Sequence, residues 1–208
     1  MKKLCLIFSL FVALVSVVNS QNTVTLLNGK TFDAINYKLD TSMNLLQFEF
    51  QKNQKTKTKV FETEHIFSIS NSSGVENILY KPIADSQYSV FEMGLVVKGA
   101  SAATNNFKPV WPFLSGFAVG FGSTLIPTSP IIGFSIPIAY NIGIAFVKPS
   151  NNYFMKNYPD YASDELFVDG FNQKAKNKIL KHSIYGSVAG ILSGLATSFI
   201  LSKTNTAN

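Results

Sequence analysis

Residues 183–201 read SIYGSVAGILSGLATSFIL, nineteen residues without a charged side chain, bracketed by Lys181 and Lys203. As a helix this run is about 28 Å long, close to the ~30 Å hydrocarbon core of a bilayer. Gly186, Gly190 and Gly194 recur every fourth residue, with Ser183 and Ser187 beside them, so one helix face carries almost no side-chain bulk. Helices in lipid gain nothing from hydrophobic burial against one another. Close backbone contact along a small-residue stripe supplies the association instead. Residues 182–202 are therefore expected to be a transmembrane helix whose glycine face docks on another helix, of this chain or of a second copy, leaving 203–208 as a tail.

The partner within the chain is the run 110–147, thirty-eight residues with no charge between Lys108 and Lys148. PTSP at 127–130 sits near its middle, and proline and serine there mark a turn. A helical hairpin over 110–148 is expected, with arms at 111–126 and 131–147 and Pro137 kinking the second. Gly116 and Gly120 repeat the four-residue spacing and are the matching helix-packing positions on the first arm. Arms this short suit a re-entrant or tilted pair packed on protein.

Between hairpin and last helix, residues 149–181 form a polar, aromatic loop and a lysine-rich helix start. Ser163 or Asp164 is expected to cap a helix beginning near Glu165. Lys174, Lys176, Lys178 and Lys181 crowd the approach to the apolar run and are read as membrane-surface charge. Tyr153, Tyr158, Tyr161 and Phe167 suit either headgroup depth or ordinary loop packing.

Upstream the character changes. VTLLNGKTFDAINYKLD holds two β-rich runs around Asn28-Gly29, a pair that favours a tight hairpin. NLLQFEF, a segment near Val60, HIFSIS, ENILYK and QYSVFEM continue the pattern. A small antiparallel β barrel or curled sheet over 21–92 is expected, with 93–109 as a connecting amphipathic segment. Residues 22–92 carry seven lysines against eight acids. Lys52, Lys55, Lys57 and Lys59 lie in a connection, QKNQKTKTK, and without interleaved aromatics they read as a solvated hairpin tip rather than a polyanion site. His65 has Glu62 and Glu64 nearby, but strand alternation puts 62 and 64 on one face and 65 on the other, so no metal site is expected and His65 is read as a partly covered strand residue.

At the N-terminus, MKKLCLIFSLFVALVSVVNS has a basic start, a short apolar run and small residues at 18 and 20, the plan of a secretory signal over 1–20. Cys5, the chain's single cysteine, leaves with it. The mature chain then has no disulfide, thiol nucleophile or thiolate metal ligand. All eighteen basic residues are lysine, so bidentate arginine clamps on phosphate are absent, which weakens a nucleic-acid reading despite a pI near 9.3, and no nucleic-acid partner is expected. Removing the signal lowers the formal charge from +6 by its two lysines, to +4. Ser70, Ser72 and Ser73 lack a placed histidine partner. The acids at 160, 164, 165 and 169 lack the ligand spacing of a calcium loop, and no phosphate-binding glycine signature is present. No catalytic residue, cofactor or metal is expected.

Four stretches, HIFSISNSSGVENILYKP, EMGLVVKGASAATNNFK, PIIGFSIPI and DELFVDGFNQKAKNKIL, resemble a group of uncharacterised exported proteins of Bacteroidota. These share a signal peptide, a small β domain and a glycine-rich apolar C-terminal half. Ser101 stands where the group commonly has an acid. The resemblance implies export and membrane attachment and carries no activity.

The expected class is an α+β membrane protein of the cell envelope, with the bilayer and either another envelope protein or a second copy as partners. Its expected role is that of a non-enzymatic assembly or accessory subunit, exported to the periplasm side. The alternative is a small transport or channel-associated protein with Pro137 and Asn141 as an irregular polar point in the bilayer. The lysine cluster would face away from the cytoplasm in the simplest threading, against the positive-inside preference, which leaves inner and outer membrane open. Mass analysis of the exported protein should find Gln21 as its first residue; a retained Met1 would show an uncleaved anchor.

Overall fold

Gly29, at φ 74°, turns the chain between β1 (Asn22–Leu26) and β2 (Thr31–Asp40), and the Asn28 side chain accepts the Lys30 amide at 3.0 Å. This is the hairpin that Asn-Gly predicts. The next turn is held by Asp40, whose carboxylate accepts from the Ser42 hydroxyl and from the amides of Ser42 and Met43 at 3.0 and 3.1 Å. Those hydrogen bonds, the Ser42 hydroxyl first, lower the Asp40 pKa. Asn53 and Gln54 both take positive φ, making a two-residue turn between β3 (Leu45–Lys52) and β4 (Lys55–Glu62). Most of QKNQKTKTK, expected as a connection, is thus strand: Lys55, Lys57 and Lys59 alternate along β4.

The computed structural model describes residues 22–82, 88–125 and 130–205. The expected secretory signal, the hairpin apex at 126–129 and the final residues of the tail lie outside these. The chain divides into two units, Met1–Ser86 and Gln87–Asn208.

The first unit is a six-stranded antiparallel sheet in the order β4-β3-β2-β1-β5-β6, completed by β5 (Ile66–Ser70) and β6 (Glu76–Ile78). It is open rather than a closed barrel, since β4 and β6 are edges. It must nevertheless curl. Only the single 3-10 turn Thr63–His65 joins β4 to β5, and a chain of that length reaches about 14 Å. Four strand spacings separate the two strands, about 19 Å in a flat sheet. The register shift in β2 between Ala34 and Asn36 supplies a bend. Curling encloses Val24, Leu26, Ala34, Leu46, Phe48 and Ile66, all 2% exposed or less. Phe32, Phe48, Phe50 and Phe61 form one aromatic cluster, with Phe32 5.3 Å from both Phe48 and Phe50.

The second unit begins where the sequence predicts a last strand. Ser89 caps α1 (Val90–Asn106): the Glu92 amide donates to the Ser89 hydroxyl at 3.3 Å, and the Glu92 carboxylate accepts the Ser89 amide at 2.7 Å. This reciprocal box makes 90–93 helical. It also lowers the Glu92 pKa, through the Ser89 backbone bond first and its side-chain bond second. The box is intact above the ordinary carboxylate range and is lost as pH falls through the lowered value.

Then follow α2 (Trp111–Leu125), α3 (Pro130–Ile144, with Pro137 inside), the short α4 (Asn151–Asn157), a 3-10 turn Pro159–Tyr161 and α5 (Glu165–Asn205). The Asp164 carboxylate accepts the Phe167 amide at 3.0 Å and starts α5 where the sequence places it. The helix expected over 182–202 is the C-terminal part of this element, which runs 41 residues, about 60 Å, and continues to Asn205. Among the described residues one helix, over Glu165–Leu201, is long and apolar enough to cross a membrane.

Replacing Phe48 with Ala should cost the β unit about 3–5 kcal/mol, the usual penalty for a buried phenylalanine, and so unfold most of a sheet this small. Urea unfolding followed by fluorescence and β-sheet circular dichroism checks this; a change under about 1 kcal/mol would contradict the curled core.

Candidate functional site

The helical unit is organised by α5, and the small residues on α5 set how closely its neighbours approach. A Cβ on Gly186 would collide with the Phe113 carbonyl, one on Gly190 with the Phe117 carbonyl, and one on Gly194 with the Thr124 hydroxyl. From the other side, Gly116 lies against the backbone of Ser183 and Gly120 against that of Ser187. All five sequence-predicted packing glycines therefore meet in one seam between α2 and α5 of the same chain. Both residue numbers rise together along the seam, so the two helices run parallel. The same device recurs one step earlier: Gly170 of α5 lies against the Val96 backbone and Gly99 of α1 against Phe167. Sequence reasoning misses that second seam because its glycines are single, one per helix. A Cβ added at Gly122 or Gly143 would meet nothing within 4 Å, and neither glycine takes part in a seam.

Helices α1 and α2 consequently follow one another along α5 like one helix broken at 107–110, where Pro109 stands. The break frees carbonyls at the end of α1. Lys178 fills it: its ammonium donates to the carbonyls of Thr104 and Phe107 at 2.6 and 2.9 Å. Of the four lysines read as membrane-surface charge, Lys178 is thus turned inward as a helix cap. Lys181 is exposed, its ammonium 5.5 Å from the Tyr185 ring centre. Lys174 is half-buried, and Lys176 lines a cavity beside α5.

Around this cap lies an aromatic core. Phe154 packs edge-on against Phe171 at 5.1 Å, Tyr158 against the same ring at 5.5 Å, and Tyr161 stacks on Phe167 at 4.9 Å. The Lys98 ammonium sits over the Tyr161 ring, 4.3 Å from its centre, and donates to its hydroxyl. Of the two placements open to these aromatics, the structure has them packed inside the unit.

Pro137 and Asn141, the irregular polar point, sit where α3 meets the serines of α5. The Asn141 amide donates to the Pro137 carbonyl at 2.8 Å and to the Ser187 hydroxyl at 3.1 Å, and accepts from the Ser183 hydroxyl at 2.6 Å. Ser183 and Ser187 are buried, 0% and 3% exposed. The cluster closes its hydrogen bonds within the chain and ties α3 to α5.

In the β unit, Lys59 lies over the aromatic cluster, 4.4 Å from the Phe32 ring centre, which gives this lysine a packing role in place of the solvated tip. His65 is also placed differently from the expectation. The 3-10 turn, which strand alternation does not allow for, swings it to within 3.9 Å of the Glu62 carboxylate, with its side chain 64% exposed. Potential ligand atoms of Glu62, Glu64 and His65 come within 4.8 Å of one another on this open surface.

No family model matches the chain, and no curated protein or solved structure matches it.

Gly190→Leu should separate α2 from α5 and lower the unfolding temperature of the helical unit in detergent, while leaving the β unit folded. Gly122→Ala should leave it unchanged or raise stability by about 0.5–1 kcal/mol, as alanine for glycine does in an open helix position. Equal effects of the two would show the stripe to be incidental. Lys178→Ala, which strands two carbonyls, should cost about 1–3 kcal/mol, against less than about 0.5 for Lys181→Ala; the same detergent melt reads both.

Proposed function

We propose that this chain is an exported, membrane-anchored, non-enzymatic component of the cell envelope, an assembly or accessory subunit that holds its β unit in water beside a partner protein. One observation carries the membrane part: the apolar half of α5 is packed inside out relative to a helix in water. Its contacts are glycines and serines. Its outer face is Ile184, Val188, Leu192, Leu195 and Phe199, between 42% and 64% exposed. Only 22% of its most apolar window is buried. A helix of a water-soluble bundle turns its large apolar residues inward; lipid is the solvent that accepts this arrangement.

The hairpin arms extend the same surface, with Leu114, Ile138, Ile142 and Phe146 between 60% and 75% exposed. Each arm is fifteen residues, about 22 Å, too short to span unaided and suited to entering and returning beside α5. The run 1–20 supports export, and the resemblance to exported Bacteroidota proteins agrees with it. The transport reading loses its main residue, because Asn141 has three hydrogen bonds within the protein and is engaged as a structural tie. Since the glycine stripe is occupied within the chain, the partner is expected on the β unit.

Cell membranes washed with alkaline carbonate should retain the protein, and detergent should release it. Crosslinking in intact cells before detergent extraction should then capture one recurrent envelope protein through the β unit. Recovery in the carbonate supernatant would overturn the membrane reading. Recovery as an uncrosslinked monomer would overturn the assembly reading while leaving the anchor standing.

A further inference from the structure

An apolar groove of about 550 Å³ runs between α3 and α5, walled by Phe134, Ile138, Ile142, Phe146, Ile184 and Val188. Ala145 and Leu180 line both this groove and a second cavity of about 540 Å³, so the two spaces are neighbours. The second cavity is mixed, with charged and amide groups set into a partly apolar wall. Asp169, Asn172, Gln173 and Lys176 enter it from α5 at intervals of three and four residues, so they form one face of that helix, and Lys148 enters from the segment after α3. Asn172 is 8% exposed, and its Oδ1 is a buried acceptor with no hydrogen-bond donor among the described residues. That oxygen has almost no surface open to the cavity and takes no part in it.

An apolar groove ending beside two lysines and one carboxylate has the outline of a single lipid with its headgroup. We infer that this paired site binds an aminophospholipid, a diacyl lipid whose headgroup carries a phosphate and a primary ammonium. Lys148 and Lys176 take the phosphate, Asp169 takes the ammonium, and the groove along α3 takes one acyl chain. The charges select against the alternatives. Two lysines alone would accept any lipid phosphate, while Asp169 on the same cavity wall gains a partner only from a headgroup that also carries a positive charge. A neutral diacylglycerol offers the two lysines no phosphate. The cavity volumes are those of ordinary small-molecule sites. The inference rests on the membrane reading, and it places the headgroup where Lys148 and Lys176 flank the apolar segments.

The test is native mass spectrometry of the full mature protein, stripped of lipid in detergent and offered phosphatidylethanolamine, phosphatidylglycerol or diacylglycerol of matched chains. The expected result is retention of phosphatidylethanolamine roughly tenfold over either competitor. Lys148→Gln with Lys176→Gln should remove that retention, and Asp169→Asn should abolish the preference over phosphatidylglycerol. Free phosphoethanolamine should displace the lipid only at concentrations orders of magnitude higher, since it leaves the groove empty. Ile142→Trp, which fills the groove, should weaken the diacyl lipid while leaving the helical content of the protein unchanged. Equal retention of all three lipids would overturn the inference, as would lysine variants that bind as the parent does. Displacement by phosphoethanolamine at equal concentration would overturn the lipid as ligand. Carbonate washing of cells carrying these variants separates the two levels: a protein that stays in the membrane yet shows no headgroup preference sinks this inference alone.

Discussion

Everything in the helical unit depends on how near two backbones can come to α5. Glycine at 186, 190 and 194 facing glycine at 116 and 120 brings α2 in until main-chain atoms touch, and one further pair, Gly170 and Gly99, does the same for α1. Dispersion between backbone atoms at this range is short-range and unforgiving, so a single added methyl moves a whole helix. Given that spacing, the rest follows. Asn141 can reach Ser183 and Ser187 across the α3 junction, and Lys178 can reach the carbonyls of Thr104 and Phe107.

Two packing regimes share that one helix. From Phe167 to Ile179 its inward residues include the large, buried Phe167, Phe171 and Ile179, surrounded by Phe154, Tyr158 and Tyr161, as in a protein core in water. From Ser183 onward the inward residues are glycine and serine and the large ones face out. The changeover falls between Lys178 and Ser183, where the last inward lysine gives way to the first buried serine. The position of that changeover fits the proposed boundary between water and lipid better than any single hydropathy value does, because it reflects which solvent each face was selected to meet.

Local features are legible in the sequence and long-range ones are not. Asn28-Gly29, the cap at Asp164, the two arms of the hairpin and the four-residue glycine interval depend on neighbours in the chain, and each is present. The helix starting at Val90 also has a local signal, Ser89-x-x-Glu92, which the β-branched and aromatic residues around it obscure. The open edge of the sheet is not readable, since barrel and curled sheet share the same alternation. Nor is the inward turn of Lys178, whose reason is a helix break near Pro109, far away in the chain. His65 departs from its expected place because one 3-10 turn suspends the two-residue period on which its reading relies.

The parallel arrangement of α2 and α5 also bears on synthesis. Gly116 and Gly120 leave the ribosome well before Gly186 and Gly190, separated by a stretch that takes several seconds to translate at ~5–20 residues per second. For that interval the hairpin presents a bare backbone groove with no helix to fill it. The packing of α2 is thus completed only after the final helix has been made.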